Sequence, residues 1–155
     1  MIQEYQVSGF RVREYEELRS TNTEAERVGW DELEDKMVIL TYKQTQGRGQ
    51  VGNHWESEPG KNISMTVVFK PRELPAGQQF AVSMVIALGA CDFISRYVAG
   101  CTVKWPNDIY VGDRKISGIL IEHSIMGRYV GGSLCGIGVN QPLINICYRF
   151  LLYNL

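Results

Sequence analysis

The chain has 155 residues, the length of one domain, and such a domain buries roughly two thirds of its unfolded surface. Its 45% hydrophobic and 21% charged residues exclude intrinsic disorder. The 16 basic against 17 acidic side chains leave a net charge of −1, without the overall basic footprint of a duplex nucleic-acid binder. The longest apolar runs, such as residues 82–90, fall short of the ~20 residues that span a bilayer. Residues 1–5 show neither a basic n-region nor an apolar h-region. The expected setting is therefore cytoplasmic, with no membrane partner. Cysteines at 91, 101, 135 and 147 form no CxxC pair, and the two histidines, His54 and His123, lie far apart. Reduced, buried cysteines are expected, with no zinc site and little material for a His-based triad.

Phe10–Tyr15 reads as a short strand. Thr21-x-x-Glu24 looks like a capping box that opens a helix running to about Asp35. Residues 37–42 form an apolar run of strand length, and residues 43–61, with four glycines and one proline, read as a long loop. Ile63, Met65, Val67 and Phe69 alternate with smaller or polar residues, which predicts a strand with one buried face. Residues 78–98 have the length and apolar content of a largely buried helix, and Gly100 is placed to end it. Strands are predicted at 101–105, 109–111, 115–124 and 129–140, the last three separated by the turns Gly112-Asp113 and Met126-Gly127. The expected fold class is α+β: a mixed, largely antiparallel sheet packed against helices, without the βαβ alternation of a Rossmann fold. Charge is uneven. Residues 1–36 carry ten acids and five bases, which leaves the rest at +4, a tilt suited to an anionic small molecule.

A loop of this length inside a compact domain calls for a functional reason. Within it, Gly47 and Gly49 flank Arg48. Glycines let backbone N–H groups converge on an anion, and the guanidinium adds a planar fork for a carboxylate or phosphate. Trp55 supplies a face to cover an apolar ligand. A flexible surface loop with an incidental arginine explains the same residues equally well. In Lys104-Trp-Pro-Asn-Asp108, Pro106, Asn107 and Asp108 are natural turn residues; a functional reading would put Asp108 at a divalent ion and Lys104 near phosphate. Lys115 opens an apolar strand, either as a snorkelling surface residue or as a fixed cation in a pocket. Gly118, Gly136 and Gly138 mark close approaches, by a ligand or by packed backbone. Glu122 and His123 read as solvated residues at a strand end, and His54 as incidental.

Five strings occur in order: Ser20-Thr21-Asn22, Gly47-Arg-Gly-x-x-Gly52-x-x-Trp55, Lys104-Trp-Pro-Asn-Asp108, Lys115-x-x-Gly118-Ile-Leu and Gly136-Ile-Gly-x-Asn140. Together they resemble the catalytic domain of the biotin protein ligases (biotin–[acetyl-CoA-carboxylase] ligases) over about residues 10–140. The resemblance implies a fold related to class II aminoacyl-tRNA synthetases and an ATP- and Mg²⁺-dependent reaction. Biotin would become biotinyl-5′-AMP and then pass to a lysine of the biotin carboxyl carrier domain of a carboxylase. It implies that Ser20, Thr21 and Gln44, beside Asn22, bind the ureido head of biotin. Arg48 with Gly47 and Gly49 would hold the carboxylate and α-phosphate under Trp55, and Lys115 would meet the reacting centre. Gly118, Gly136 and Gly138 would form the wall. Gly52, Lys104, Asn107, Asp108 and Asn140 would face the nucleotide, with Asp108 at Mg²⁺ and Asn140 at the adenine.

Two departures from the family stand out. Gln50 replaces a second arginine that helps many members hold the adenylate. Residues 141–155 are unusually apolar where the family continues into further helix and a C-terminal β-barrel, which points to a truncated or frame-shifted reading. The N-terminus leaves no room for a helix-turn-helix, so no DNA partner is expected, while an open sheet edge would favour a homodimer. Two alternatives stand beside the lead: a lipoate-type ligase, and a non-catalytic biotin-binding domain.

Overall fold

The structure is a computed structural model and describes residues 2–50 and 52–140. In chain order the elements are β1 (Ile2–Val7), β2 (Phe10–Tyr15), α1 (Thr21–Val28), β3 (Met37–Thr41), β4 (Gly47–Arg48), β5 (His54–Trp55), β6 (Asn62–Phe69), α2 (Phe80–Ser95), β7 (Cys101–Lys104), β8 (Asp108–Val111), β9 (Arg114–Met126) and β10 (Tyr129–Asn140). Eight strands form one sheet in the order β1-β2-β3-β6-β10-β9-β8-β7, and β4 with β5 makes a separate small hairpin. β2 and β3 run parallel, joined through α1; the other neighbours are antiparallel. The mixed, largely antiparallel α+β class expected from the sequence is the one observed.

β1 is an element absent from the sequence-based expectation. All six of its residues are exposed, so it carries no buried face to reveal it. It is held by the Ser8-Gly9 turn, both residues at positive φ, and by polar ties across to β2. Glu4 pairs with Arg13 at 2.7 Å, and Tyr5 donates to Glu14 at 2.9 Å.

The first helix corrects its prediction at both ends. Ser20, not Thr21, is the N-cap, and its Oγ accepts from the Thr23 N–H at 3.5 Å. Glu24 turns to Arg27 instead of closing a capping box, and this pair holds the Glu24 carboxyl below its ordinary range. The helix stops at Val28, because Gly29 at φ 84° breaks it there rather than at Asp35. Trp30 and Leu33 continue the apolar spacing but pack from a turn.

β6 alternates as expected, but its fully buried face is the polar one: Asn62, Ser64, Thr66 and then Val68. Ile63, Met65 and Val67 lie half-buried on the other side. Strand alternation therefore sorts the sheet into two faces. One carries α1, where Ala25 and Val28 pack with Met37, Ile39, Val68 and Leu134. The other carries α2, where Ala87 and Ile94 pack with Ile109, Ile119 and Val139.

The second helix corrects the expectation of extensive burial. Only Val82, Ala87 and Ile94 are buried, while Phe80, Met84, Val85, Leu88 and Phe93 are exposed. A helix apolar all round is expected to be buried on all sides, yet among the described residues only one side meets the sheet. With its preceding 3₁₀ turn, Ala76–Ser95 is also long and apolar enough to cross a membrane by length and composition. The shorter apolar runs counted in the sequence concealed that, and here the helix packs one side on the sheet. Residues 141–155, the apolar tail singled out from the sequence, lie outside the described residues.

This packing separates two substitutions of similar chemistry. Ile109→Ala, at a site with no exposed surface, will lower unfolding free energy by about 2–5 kcal/mol in a urea titration. Leu88→Ala, on the 59% exposed side of α2, will change it by less than about 0.5 kcal/mol.

Candidate functional site

The site lies on the α1 face, where β9 and β10 present glycines to one another. Gly138 stands opposite Gly118, and Gly136 opposite Leu120. The indole of Trp55 lies against this seam. A Cβ on Gly118 would stand 2.7 Å from Trp55 Cζ3, and one on Gly138 would overlap the same ring. A Cβ on Gly136 would collide with the Asn22 amide. The glycines are therefore required by packed side chains, and Trp55 lies on the flat wall that the sequence suggested for a ligand.

The loop carrying Trp55 is anchored, not free. Gln44–Gln46 is zipped to Leu18 and Arg19 by the backbone bonds Thr45 N–H to Leu18 C=O at 2.9 Å and Gln46 N–H to Arg19 C=O at 2.8 Å. That places Gln44 Oε1 to accept from Thr21 N–H at 2.9 Å. Further on, β4 and β5 pair Gly47 with Trp55 and Arg48 with His54. Gly52, at φ 84°, sits in the turn between them.

One cavity of about 290 Å³ collects most of the predicted residues. Ser20, Thr21, Asn22 and Gln44 line one end; Arg48, Gly49 and Trp55 come from the loop. Asn107, Asp108 and Lys115 close the other end, and Gly118, Gly136 and Gly138 form the wall. Arg48 and Lys115, from separate elements, thus face the same hollow. Four predicted residues do not line it. Gly47 borders a second, more open hollow on the far side of the loop. Gly52 meets nothing within 4 Å. The Lys104 ammonium lies over the Tyr110 ring, 5.0 Å from its centroid. Asn140, two residues beyond Gly138 at the end of β10, accepts a hydrogen bond from Asn62. Lys104 stands opposite Asp108, on the cavity's side of the sheet, but its ammonium rests over Tyr110, outside the lining.

Electrostatics define what the cavity can do. Arg48 Nη1 reaches Glu26 at 3.1 Å and Thr23 Oγ1 at 3.2 Å, and Nη2 pairs with Glu122. Lys115 Nζ is 2.7 Å from Asp108 Oδ1 and lies 5.8 Å from the centroid of the Trp55 ring. Both cations thus rest on carboxylates, and an anion arriving here must displace them. Two buried polar atoms at the cavity lack a hydrogen-bond partner: Trp55 Nε1, and Asp108 Oδ1, whose contact with Lys115 is an ion pair without hydrogen-bond alignment. Unpaired buried polar atoms that cluster at a cavity point to a polar ligand.

Glu122 escapes sequence reasoning. Expected to be solvated at a strand end, it instead bridges two site residues, since Asn22 Nδ2 donates to its Oε2 at 2.8 Å while Arg48 takes the other oxygen. Asn22 is fixed in turn by Thr66, whose Oγ1 donates to its Oδ1. The polar face of β6, Asn62-x-Ser64-x-Thr66, was the available signal for this network. His54, expected to be incidental, lines the cavity with Gln50 and Asn53. His123 is also partnered, its Nδ1 lying 2.8 Å from Ser133 Oγ, and burial holds its imidazole below the ordinary value.

For Mg²⁺ the donor set is thin. Among the described residues no three His, Cys, Asp or Glu side chains gather as a metal site. Asp108, now ion-paired with Lys115, offers one carboxylate at the cavity, which suits an ion held mainly by phosphate oxygens and water, as Mg²⁺ commonly is.

Comparison with known proteins places this geometry. The sequence model of the biotin/lipoate A/B protein ligase family matches residues 15–140. The chain belongs to that family. The biotin–[acetyl-CoA-carboxylase] ligase of Paracoccus denitrificans is 34% identical over 123 residues, 78% of this chain and 50% of that protein. The bifunctional ligase/repressor BirA of Bacillus subtilis is 27% identical over 87% of this chain and 42% of its own length. Among solved structures, the biotin acetyl coenzyme A carboxylase synthetase of Helicobacter pylori, with bound biotinylated ATP, superposes with a TM-score of 0.65 at 29% identity. That match covers 84% of this chain and 60% of the other. The biotin protein ligase of Leishmania major, in complex with biotinyl-5-AMP, gives 0.64 at 25% identity over 83% and 56%. The chain spans half or less of the length of the two sequence relatives.

Two outcomes test the site. Gly138→Ala will push the Trp55 indole off the wall, seen as a red shift of tryptophan emission against wild type. Because burial disfavours the charged imidazole of His123, the unfolded chain takes up the proton first as pH falls through about 6.5. Stability present above that pH is therefore lost below it, and in His123→Gln the loss between about pH 7 and 5 will shrink, as read by thermal melts.

Proposed function

We propose that this chain is the catalytic part of a biotin protein ligase. It would condense biotin with ATP to biotinyl-5′-AMP and transfer the biotinyl group to one lysine of the carboxyl carrier domain of a carboxylase, in the cytoplasm. One observation carries the reading: Arg48 and Lys115 converge on a single polar cavity beside a side-chain-free wall.

In the first step a biotin carboxylate oxygen attacks the α-phosphorus of ATP, and the bond to pyrophosphate breaks. Two anions must meet. Arg48, released from Glu26, and Lys115, released from Asp108, offset that repulsion and stabilise the charge that grows in the transition state. Asp108 is the residue that would hold Mg²⁺, whose positive charge would offset that of the phosphates. In the second step the carrier lysine attacks the acyl carbon and AMP departs. Neither step needs a side-chain nucleophile. Holding the reactants together supplies several kcal/mol, and Trp55 with its loop keeps water from the anhydride.

The lining favours biotin over lipoate. Ser20, Thr21, Asn22, Gln44 and Ser64 present hydrogen-bonding groups to the cavity. A ureido ring can pair with their remaining donors and acceptors, whereas a dithiolane offers no such partner.

Biotin-dependent exchange of pyrophosphate into ATP tests the reading. Wild type will exchange only with biotin, and Arg48→Ala and Lys115→Ala will each lower kcat/KM by roughly 100-fold or more. Biotin binding without exchange would favour the non-catalytic domain; neither binding nor exchange in folded protein would refute the assignment.

A further inference from the structure

Outside the cavity the described residues hold a second reactive grouping. Cys91, in the last half of α2, and Cys101, the first residue of β7, place their sulfurs 3.1 Å apart. Nine residues separate them, enough to turn the chain from helix to strand through Gly100 at φ 79°. The sulfurs are closer than a van der Waals contact, and bringing them to bonding distance, near 2.05 Å, takes a movement of about 1 Å. Both thiols are half-buried rather than sealed in the core, unlike Cys135, which is fully buried. The neighbouring α2 groups are Asp92 and Ser95, and no cation is among the groups that act on Cys101. All three described cysteines are reduced, as expected from the sequence, and Cys91 and Cys101 pack against the core, but only Cys135 is fully buried. Cys147 lies outside the described residues.

We propose that Cys91 and Cys101 are a dithiol site that closes reversibly to a disulfide, with a small-molecule disulfide such as oxidised glutathione as the oxidant. One thiolate attacks the glutathione disulfide, forming a mixed disulfide and releasing one glutathione thiolate. The second cysteine loses its proton and attacks the protein sulfur of that intermediate, expelling the other glutathione. Two protein thiols are oxidised to one disulfide, one glutathione disulfide is reduced to two glutathiones, and the cycle reverses with excess thiol. Burial pushes the Cys101 thiol up to about 11, so closure accelerates as pH rises.

The bond would tie α2 to the strand that leads into the cavity. β7 ends at Lys104, and three residues on Asn107 is clipped to β9 by its carbonyl, which accepts from Ile119 N–H at 2.8 Å, and by its amide, which donates to Ile119 C=O at 3.0 Å. Closure therefore joins the helix face to the corner that carries Asp108. The pair lies on the α2 side of the sheet and is not among the residues that line the cavity, so the proposal does not depend on the ligase reading.

Peptide mapping tests it directly. The full chain is incubated with oxidised glutathione, free thiols are blocked with N-ethylmaleimide, and the unreduced protein is cut with trypsin. Cleavage at Arg72, Arg96 and Lys104 puts Cys91 and Cys101 on different peptides. The expected product is residues 73–96 joined to residues 97–104, lighter than their sum by two hydrogens and separated by dithiothreitol. Oxidised wild type should melt roughly 5–10 °C above reduced protein, and Cys91→Ser and Cys101→Ser should abolish both the joined peptide and the shift. Stable glutathione adducts on single cysteines, a link through Cys135 or Cys147, or thiols that remain fully alkylated would each overturn the proposal.

Discussion

The arrangement of the site rests on one constraint: three positions on adjacent strands must lack a side chain. Gly118, Gly136 and Gly138 make a strip where the sheet surface is bare backbone, and both sides of the cavity lean on it. From one side Trp55 lies flat on Gly118 and Gly138; from the other Asn22 reaches over Gly136 to Thr66 and Glu122. A methyl group at any of these positions would lift one of them by an atom's width, and because interiors are close-packed that displacement would pass to its partners. Asn22 belongs to α1 and Trp55 to the loop hairpin, so the bare strip sets the distance of both elements from the sheet.

That dependence explains how little regular structure the site needs. The hairpin of β4 and β5 has four strand residues, far too few to stand alone. It is held at its base on both strands, by the zipper to Leu18 and Arg19 just before Gly47 and by the Trp55 indole on the strip. Arg48 stands one residue beyond these supports, opposite His54, and its contacts fall on α1 at one side and on β9 at the other. The arginine therefore ties three elements together while remaining 36% exposed.

The sequence was most legible where local chemistry decided the outcome. Strand periodicity and turn residues placed β2, β3 and β6–β10, because alternation and glycine turns act over a few residues. Reading failed where the outcome depended on a distant neighbour. Gly29 carried the stop signal for α1, but Trp30 and Leu33 continued the apolar spacing and masked it. In β6 the apolar side looked like the buried one; burial of Asn62, Ser64 and Thr66 depends on α1, the loop and β10 arriving over them. Glu122 looked like any acid near a strand end, since nothing within its own strand shows that Arg48, 74 residues earlier, lies against it. α2 was misjudged for a related reason: apolar composition reports what a helix can bury, not how many sides find a partner.

The pairing of each cavity cation with an acid bears on how such a site avoids working against itself. An arginine and a lysine left bare around a small cavity would repel each other and hold a tight water shell, and removing that shell would oppose ligand entry. Resting Arg48 on Glu26 and Glu122, and Lys115 on Asp108, keeps the cations oriented without that penalty. The cost is that an incoming carboxylate or phosphate must compete with anions already in place. Glu26 is the more exposed of the two partners of Arg48, at 45% against 30%, so water compensates it more readily on release. Glu122 stays bonded to Asn22. The exchange thus runs toward solvent, freeing the outer half of the guanidinium while the inner half stays in register with the residues that line the far end of the cavity.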